Sequence, residues 1–168
     1  LRDDYKARGI LDVYSQEILN EPIDESIAYF KKSDLMSVRE ADKDKRLNYY
    51  IAADLAISEK EKSDYTAFVV AGVDENKVIH IVNVIRERLD GREIVEQIMA
   101  LNHMYKPDLF GIEEMQVSKA IGPFLREEMQ KTGNFPNIFL LKHKGQDKLA
   151  RARSIQARIR AHGVKFDK

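Results

Sequence analysis

The sequence predicts an α/β domain built on a mixed five-stranded sheet, three antiparallel strands followed by parallel ones, with flanking helices. Three observations predict it. Runs rich in β-branched and aromatic residues recur at strand length from Leu47 onward; short polar connections join the first three; and the later ones alternate with amphipathic stretches of helical period. At 168 residues, 43% hydrophobic and 33% charged, the chain can bury one core and little more, so one domain with an arm is expected.

Residues 1–46 are polar and irregularly patterned. An amphipathic stretch around "LDVYSQEILN" ends at "EP", and the charged "READKDKR" follows, which reads as a helix and an extended linker. The first residue is Leu rather than Met, so a longer parent protein is expected. From Leu47 the pattern changes. "LNYYIAADLA" and "DYTAFVVAGVD" read as strands, and "DENK" is a turn feeding "KVIHIVNVIRERL", so an antiparallel meander is expected. "DGREIVEQIMALNHMYKP" carries Ile94, Ile98 and Leu101 at helical spacing between Gly91 and Pro107. "DLFGIEE" is a short buried strand. "SKAIGPFLREEMQKTG" is a helix entered near Gly122 and Pro123 and stopped at Gly133. "PNIFLLKH" is the fifth strand. "DKLARARSIQARIRAHG" is a third helix with Asp147 as N-cap and Gly163 as terminator, and "VKF" is compatible with one more strand. Tyr49, Tyr50 and the "FLL" triplet read as core.

The order is therefore β-β-β-α-β-α-β-α. Helical crossovers require parallel pairing of the later strands, and right-handed connections restrict their arrangement. One economical solution sets the fourth strand beside the first. The first ends on Asp54 and the fourth on Glu113. Each acid by itself has a plain reading: Asp54 as a turn cap, Glu113 with Glu114 as an exposed pair. Together, at neighbouring strand ends where open α/β sheets place their sites, they favour a site, because two adjacent carboxylates repel unless something positive sits between them. The chain has no Cys and its four His (His80, His103, His143, His162) are scattered, so hard oxygen ligands point to magnesium or manganese rather than zinc. Two such ions about 4 Å apart would supply a hydroxide-like nucleophile and stabilise the leaving oxygen of a phosphodiester.

The net charge of zero hides an asymmetry. From Lys142 to Lys168 there are nine Lys or Arg against two acids, a net +7 that the first 141 residues balance. Such a segment is either a solvated helix face or a surface for a polyanion. Lys148, Arg151 and Arg158 fall on roughly one helical face and could meet DNA phosphates lying over the carboxylates. No Gly precedes a Lys, so the chain has no P-loop, and no apolar run approaches the roughly 18 residues of a membrane span.

Four stretches in order resemble a known family. "YIAADLAISEKEKSDYTAFVVAGVD", "KPDLFGIEEMQVSKAIGPFL" and "DKLARARSIQARIRAHGVKF" resemble the nuclease domain of the large terminase subunit of tailed bacteriophages, which has the ribonuclease H-like fold. "YSQEILNEPIDESIAYFKKSDL" is similar to the segment joining that family's ATPase domain to its nuclease. The resemblance covers most of the chain. It implies an arm over residues 1–46 from an ATPase domain and a ribonuclease H-like nuclease domain over 47–168, C-terminally incomplete. It implies a metal-dependent endonuclease that cuts concatemeric double-stranded DNA during viral packaging.

Asp54 matches the family's first-strand aspartate, shared by the metal ions, and Glu113 its fourth-strand acid. Asp64 matches a recurrent position that holds a metal-bound water or caps the second strand. Leu55 departs from the family's usual Pro. The third carboxylate lies on a helix well beyond "GVKF", past Lys168, which would leave weak metal binding and poor cleavage. Two Mg2+ or Mn2+ ions are implied for the complete site. Implied partners are double-stranded DNA, the ATPase domain of the same subunit, the small terminase subunit and the portal protein, with no membrane, in the cytoplasm of the bacterial host. Two other readings stay open: a transposase- or resolvase-type enzyme of the same fold, and a non-catalytic DNA-binding fragment.

Overall fold

The computed structural model describes residues 29–56, 65–114, 121–142 and 148–167. Ten elements follow in chain order: β1 (Met36–Ser37), β2 (Asn48–Asp54), β3 (Thr66–Val73), β4 (Ile79–Glu87), α1 (Gly91–Tyr105), β5 (Leu109–Glu113), α2 (Gly122–Thr132), β6 (Ile138–Leu141), α3 (Lys148–Arg160) and β7 (Val164–Phe166). They form one seven-stranded sheet in the order β1-β7-β4-β3-β2-β5-β6.

The meander is present: β2 pairs antiparallel with β3, and β3 with β4. β5 then returns parallel to β2, and β6 parallel to β5. This is the ribonuclease H-like arrangement, with two strands beyond the five expected. "VKF" forms β7, parallel to β4, and Met36–Ser37 adds an edge strand on β7.

Strand alternation divides the sheet into two faces. Ile51 and Ala53 of β2, Phe68 and Val70 of β3 and Phe110 and Ile112 of β5 point to one face and pack against Ile94, Val95 and Ile98 of α1 and Leu125 of α2. Phe68 and Phe110 meet edge to face at 6.4 Å. Each such side chain contributes about 1.5–3 kcal/mol on burial. Asp90 caps α1, its Oδ1 accepting the Arg92 and Glu93 amides, while Glu93 Oε2 accepts the Asp90 amide. Gly133 ends α2 at φ 65°, a left-handed conformation that costs glycine nothing. At the end of α3 the left-handed residue is His162 (φ 56°), one before the expected Gly163. Gly163 instead passes close to the helix, its amide donating to Arg158 O at 2.8 Å. The expected cap Asp147 lies outside the described residues.

Connections β4–α1–β5 and β5–α2–β6 step along the sheet in one direction, whereas β6–α3–β7 runs back across it. Right-handed crossovers therefore put α1 and α2 on the core face and α3 on the other. That other face remains open over β2, β5 and β6 among the described residues. Tyr50 (38%), Phe139 (53%) and Leu141 (42%) are exposed there, and Leu140 is exposed on the opposite side. Their expected place in the core is corrected: Tyr49 packs against the core, but its neighbour Tyr50 alternates to the open face, and β6 is an edge strand.

The charged stretch read as linker is fastened to the sheet. Asp42 is only 5% exposed, and its Oδ1 accepts Lys165 Nζ at 2.6 Å and Lys45 Nζ at 3.0 Å. Lys45 Nζ also reaches Asp74 Oδ2 at 2.9 Å, and His80 Nε2 lies 3.2 Å from the same oxygen. Asp74 Oδ1 accepts the amides of Asn76 and Val78. Hydrogen bonds from Lys165, the Arg39 amide and Lys45 hold the Asp42 carboxyl well below the usual carboxylate range. Burial pushes Asp74 up, but Lys45, the Val78 amide and His80 outweigh it and pull it well below that range. The same bonds from Asp74 and Asp42 push Lys45 up.

Candidate active site

Asp54 is the last residue of β2. Ile51, Ala53 and Leu55 are buried on the core face, so alternation turns Asp54 to the open face, where it is exposed. The turn after it is pinned: the Ala56 amide donates to Thr66 Oγ1 at 3.0 Å, and Thr66 is fully buried at the start of β3. Leu55, where the family resemblance would place Pro, is a core side chain at 4% exposure and anchors this turn by packing.

Glu113 is the last residue of β5. Phe110 and Ile112 face the core, so Glu113 alternates to the same open face as Asp54 and is half-buried. The parallel register pairs Ala53 with Ile112, and the next step along both strands brings Asp54 beside Glu113. Neighbouring strands lie about 4.8 Å apart, so the two carboxylates rise from adjacent backbone positions on one face. Both are at the C-terminal ends of parallel strands.

The pair fits a hard divalent cation. Magnesium-like ions take one or two carboxylates and keep several waters, and two neighbouring anions are relieved of their repulsion by such a charge. Among the described residues, no group of three or more His, Cys, Asp and Glu gathers as a ligand set. Asp64 lies outside the described residues.

The same row of the sheet extends sideways. Asp54 pairs with Ala67 and Ala67 with Arg86, while Glu113 pairs with Leu141. Just beyond this row, Tyr65 carries two guanidinium groups, with Arg86 Cζ 3.6 Å and Arg88 Cζ 4.6 Å from its ring centroid. All three side chains are exposed. Sequence reasoning missed this cluster; the signal available was "RERL" at a strand end, with Arg at alternate positions.

The basic helix is only partly associated with this end of the sheet. α3 leaves the C-terminal end of β6, which places the backbone of Lys148 and Arg151 at the end where the carboxylates lie; their side chains are not described. Arg158 is elsewhere: its guanidinium donates to Lys77 O at 3.4 Å, in the β3–β4 turn at the opposite end of the sheet. Ten helical steps carry the chain from Lys148 to Arg158, about 15 Å along the axis. Spacing assigned them to one face but said nothing of height, and the structure does not bring Arg158 to the carboxylates.

No protein-family model matches the chain, and no curated protein sequence matches it. Solved structures do. The HK97 bacteriophage large terminase superposes with a TM-score of 0.55 at 11% identity, over 82% of this chain and 33% of the phage protein. The large terminase nuclease of thermophilic phage G20c gives a TM-score of 0.53 at 18% identity, over 80% of this chain and 71% of that one. Its magnesium-bound form gives 0.51. The chain thus spans about a third of the HK97 protein's length and has the fold of large-terminase nuclease domains.

Proposed function

We propose that the chain is the nuclease domain of a viral large terminase subunit, a metal-dependent endonuclease that cuts concatemeric double-stranded DNA by phosphodiester hydrolysis. One observation carries the reading: Asp54 and Glu113 end adjacent parallel strands in register on the same open face. Bound Mg2+ or Mn2+ would supply Lewis-acid polarisation of the phosphodiester and of the attacking water.

The chain's own residues do the rest. Asp54, on a strand tip fixed by buried Leu55 and Thr66, and Glu113, on a strand held between β2 and β6, provide fixed oxygen donors. Rigid strands keep both carboxylates in place without a loop rearrangement, which limits the cost of orienting them at each turnover. Among the described residues, the face beside them is open over β2, β5 and β6, where Tyr50, Phe139 and Leu141 are exposed. Asp64 is proposed to support a metal-bound water, and Lys148 and Arg151 to contact phosphates from the start of α3. Action within a packaging motor, with an ATPase domain, small subunit and portal in the cytoplasm of a bacterial host, belongs to the same proposal.

Plasmid cleavage with manganese tests it. The parent chain is expected to nick or linearise plasmid, and Asp54→Ala and Glu113→Ala to lose that activity while remaining folded. Cleavage that survives both substitutions overturns the proposal.

A further inference from the structure

The face opposite the core carries an apolar floor in a defined place. Its rows set Ala52 of β2 beside Gly111 of β5, and Gly111 beside Phe139 of β6. One row above, Leu141 stands beside Glu113, and one row below on β2 stands Tyr50. The small Ala52 and Gly111 therefore lie between the exposed side chains of Tyr50, Phe139 and Leu141. Apolar groups gathered in this way on one face are a surface for another element to cover.

One stretch of the chain has the pattern, charge and reach to cover that floor. Ile10, Leu11, Tyr14 and Ile18 recur at spacings of three and four, so a helix over 10–19 carries them on one stripe about 15 Å long, enough to cross the roughly 10 Å from β2 to β6. The other internal stretches outside the described residues, 57–64, 115–120 and 143–147, do not repeat apolar side chains in this way. Charge favours the same stretch. From Ile10 to Ala28 there are five acids and no Lys or Arg, whereas α3, on the floor's side of the sheet, has five Lys or Arg and no acid. Reach is sufficient. The described chain begins at Tyr29, whose carbonyl accepts Gln156 Nε2 of α3, and Asp34 lies 3.7 Å from Arg160, so the arm joins the domain on α3's side. From Ile18 to Tyr29 the extended chain spans up to about 36 Å, against about 29 Å for the full width of seven strands.

We propose that residues 10–19 form an amphipathic helix docked on this face, with Ile10, Leu11, Tyr14 and Ile18 over Tyr50, Phe139 and Leu141 and the acidic continuation of the arm beside α3. The arm is then part of the domain rather than a tether. The inference concerns the floor beside Asp54 and Glu113 and holds whatever chemistry those acids perform.

The chain has no Cys, so engineered pairs report proximity without background. In the full chain, Ile18→Cys/Phe139→Cys is treated with a short bismaleimide at low protein concentration. Ile18→Cys/Met104→Cys is the control, because Met104 is 69% exposed on α1, across the sheet. The first pair is expected to cross-link within one chain at least about tenfold faster than the control, as a docked pair has the higher effective concentration. Adding Leu11→Ser/Tyr14→Ser should bring its rate down to the control's, and Arg153→Glu should slow it several-fold at low salt but not at high salt. Amide exchange gives a readout without Cys and with Phe139 intact: over 10–19 it should be at least about tenfold slower in the parent than in Leu11→Ser/Tyr14→Ser. Equal rates for the two pairs, or exchange that the double variant leaves unchanged, would overturn the docking. Cross-links formed only between chains would assign the floor to a second copy and overturn it as well.

Discussion

Asp42 and Asp74 at one end of the sheet, and Asp54 and Glu113 at the other, are the same chemical group used in opposite ways. The first pair is 5% and 3% exposed and is enclosed by Lys45, Lys165, His80 and three backbone amides. Its charge is answered within the fold. The second pair is exposed and half-buried, side by side on strand tips, facing outward. A buried carboxylate tolerates burial only when hydrogen-bonded and paired, so saturation marks a structural acid. Asp54 and Glu113 instead stand side by side at the C-terminal ends of adjacent parallel strands, the place that the proposed function needs.

The largest effect that would sharpen this contrast is catalytic. Asp54→Ala or Glu113→Ala should reduce manganese-dependent plasmid cleavage at least a hundredfold, about 3 kcal/mol of transition-state stabilisation, with melting temperature changed by no more than a few degrees. Adding manganese should raise the melting temperature of the parent and not of either variant, which reads the metal independently of turnover. Next is the converse. Asp74→Ala leaves Lys45 and His80 facing a missing partner in a buried setting and should cost about 3–5 kcal/mol, lowering the melting temperature on the order of 10 °C, while barely altering cleavage at temperatures where the variant is folded.

A smaller effect comes from pH. Both Asp42 and Asp74 have folded-state pKa values below the ordinary range, so their stabilisation is fully present above about pH 4. As pH falls below that value, the unfolded chain takes up protons that the folded chain still refuses, and stability drops until the folded carboxyls protonate too. Urea midpoints measured from pH 6 down to pH 3 should fall, and Asp42→Asn/Asp74→Asn should fall less steeply. The smallest effect is a control in the same stretch. Lys43 and Glu40 form a 2.8 Å ion pair in solvent, and Lys43→Ala should change stability by less than about 1 kcal/mol. A large loss there would erase the distinction between buried and exposed charge.

Much of the site could be read from pattern because it rests on local periodicity. The alternation that buries Ile51 and Ala53 already sets Asp54 on the other face, and the same holds for Ile112 and Glu113. Placing the fourth predicted strand beside the first was one economical solution among those the crossover rules allow, and the parallel β2–β5 pairing matches it. The charged cluster could not be read this way. Asp42 meets Lys165 across 123 residues and Lys45 meets Asp74 across 29, and nothing in "READKDKR" separates a buried Asp from a solvated one. Tyr65 under Arg86 and Arg88 depends on the register of a hairpin, and Tyr50 and Phe139 depend on which sheet face a helix covers.

What the chain determined by itself was therefore periodic: which residues make strands and helices, which side of each is apolar, and that two acids stand at strand tips. Tertiary structure alone decided which edge of β7 accepts Met36–Ser37, where along its axis α3 carries Arg158, and which carboxylates are enclosed by cations. The reason is geometric. Period and spacing fix direction around an element's axis, whereas height along that axis and the identity of a distant neighbour are set only when the elements pack.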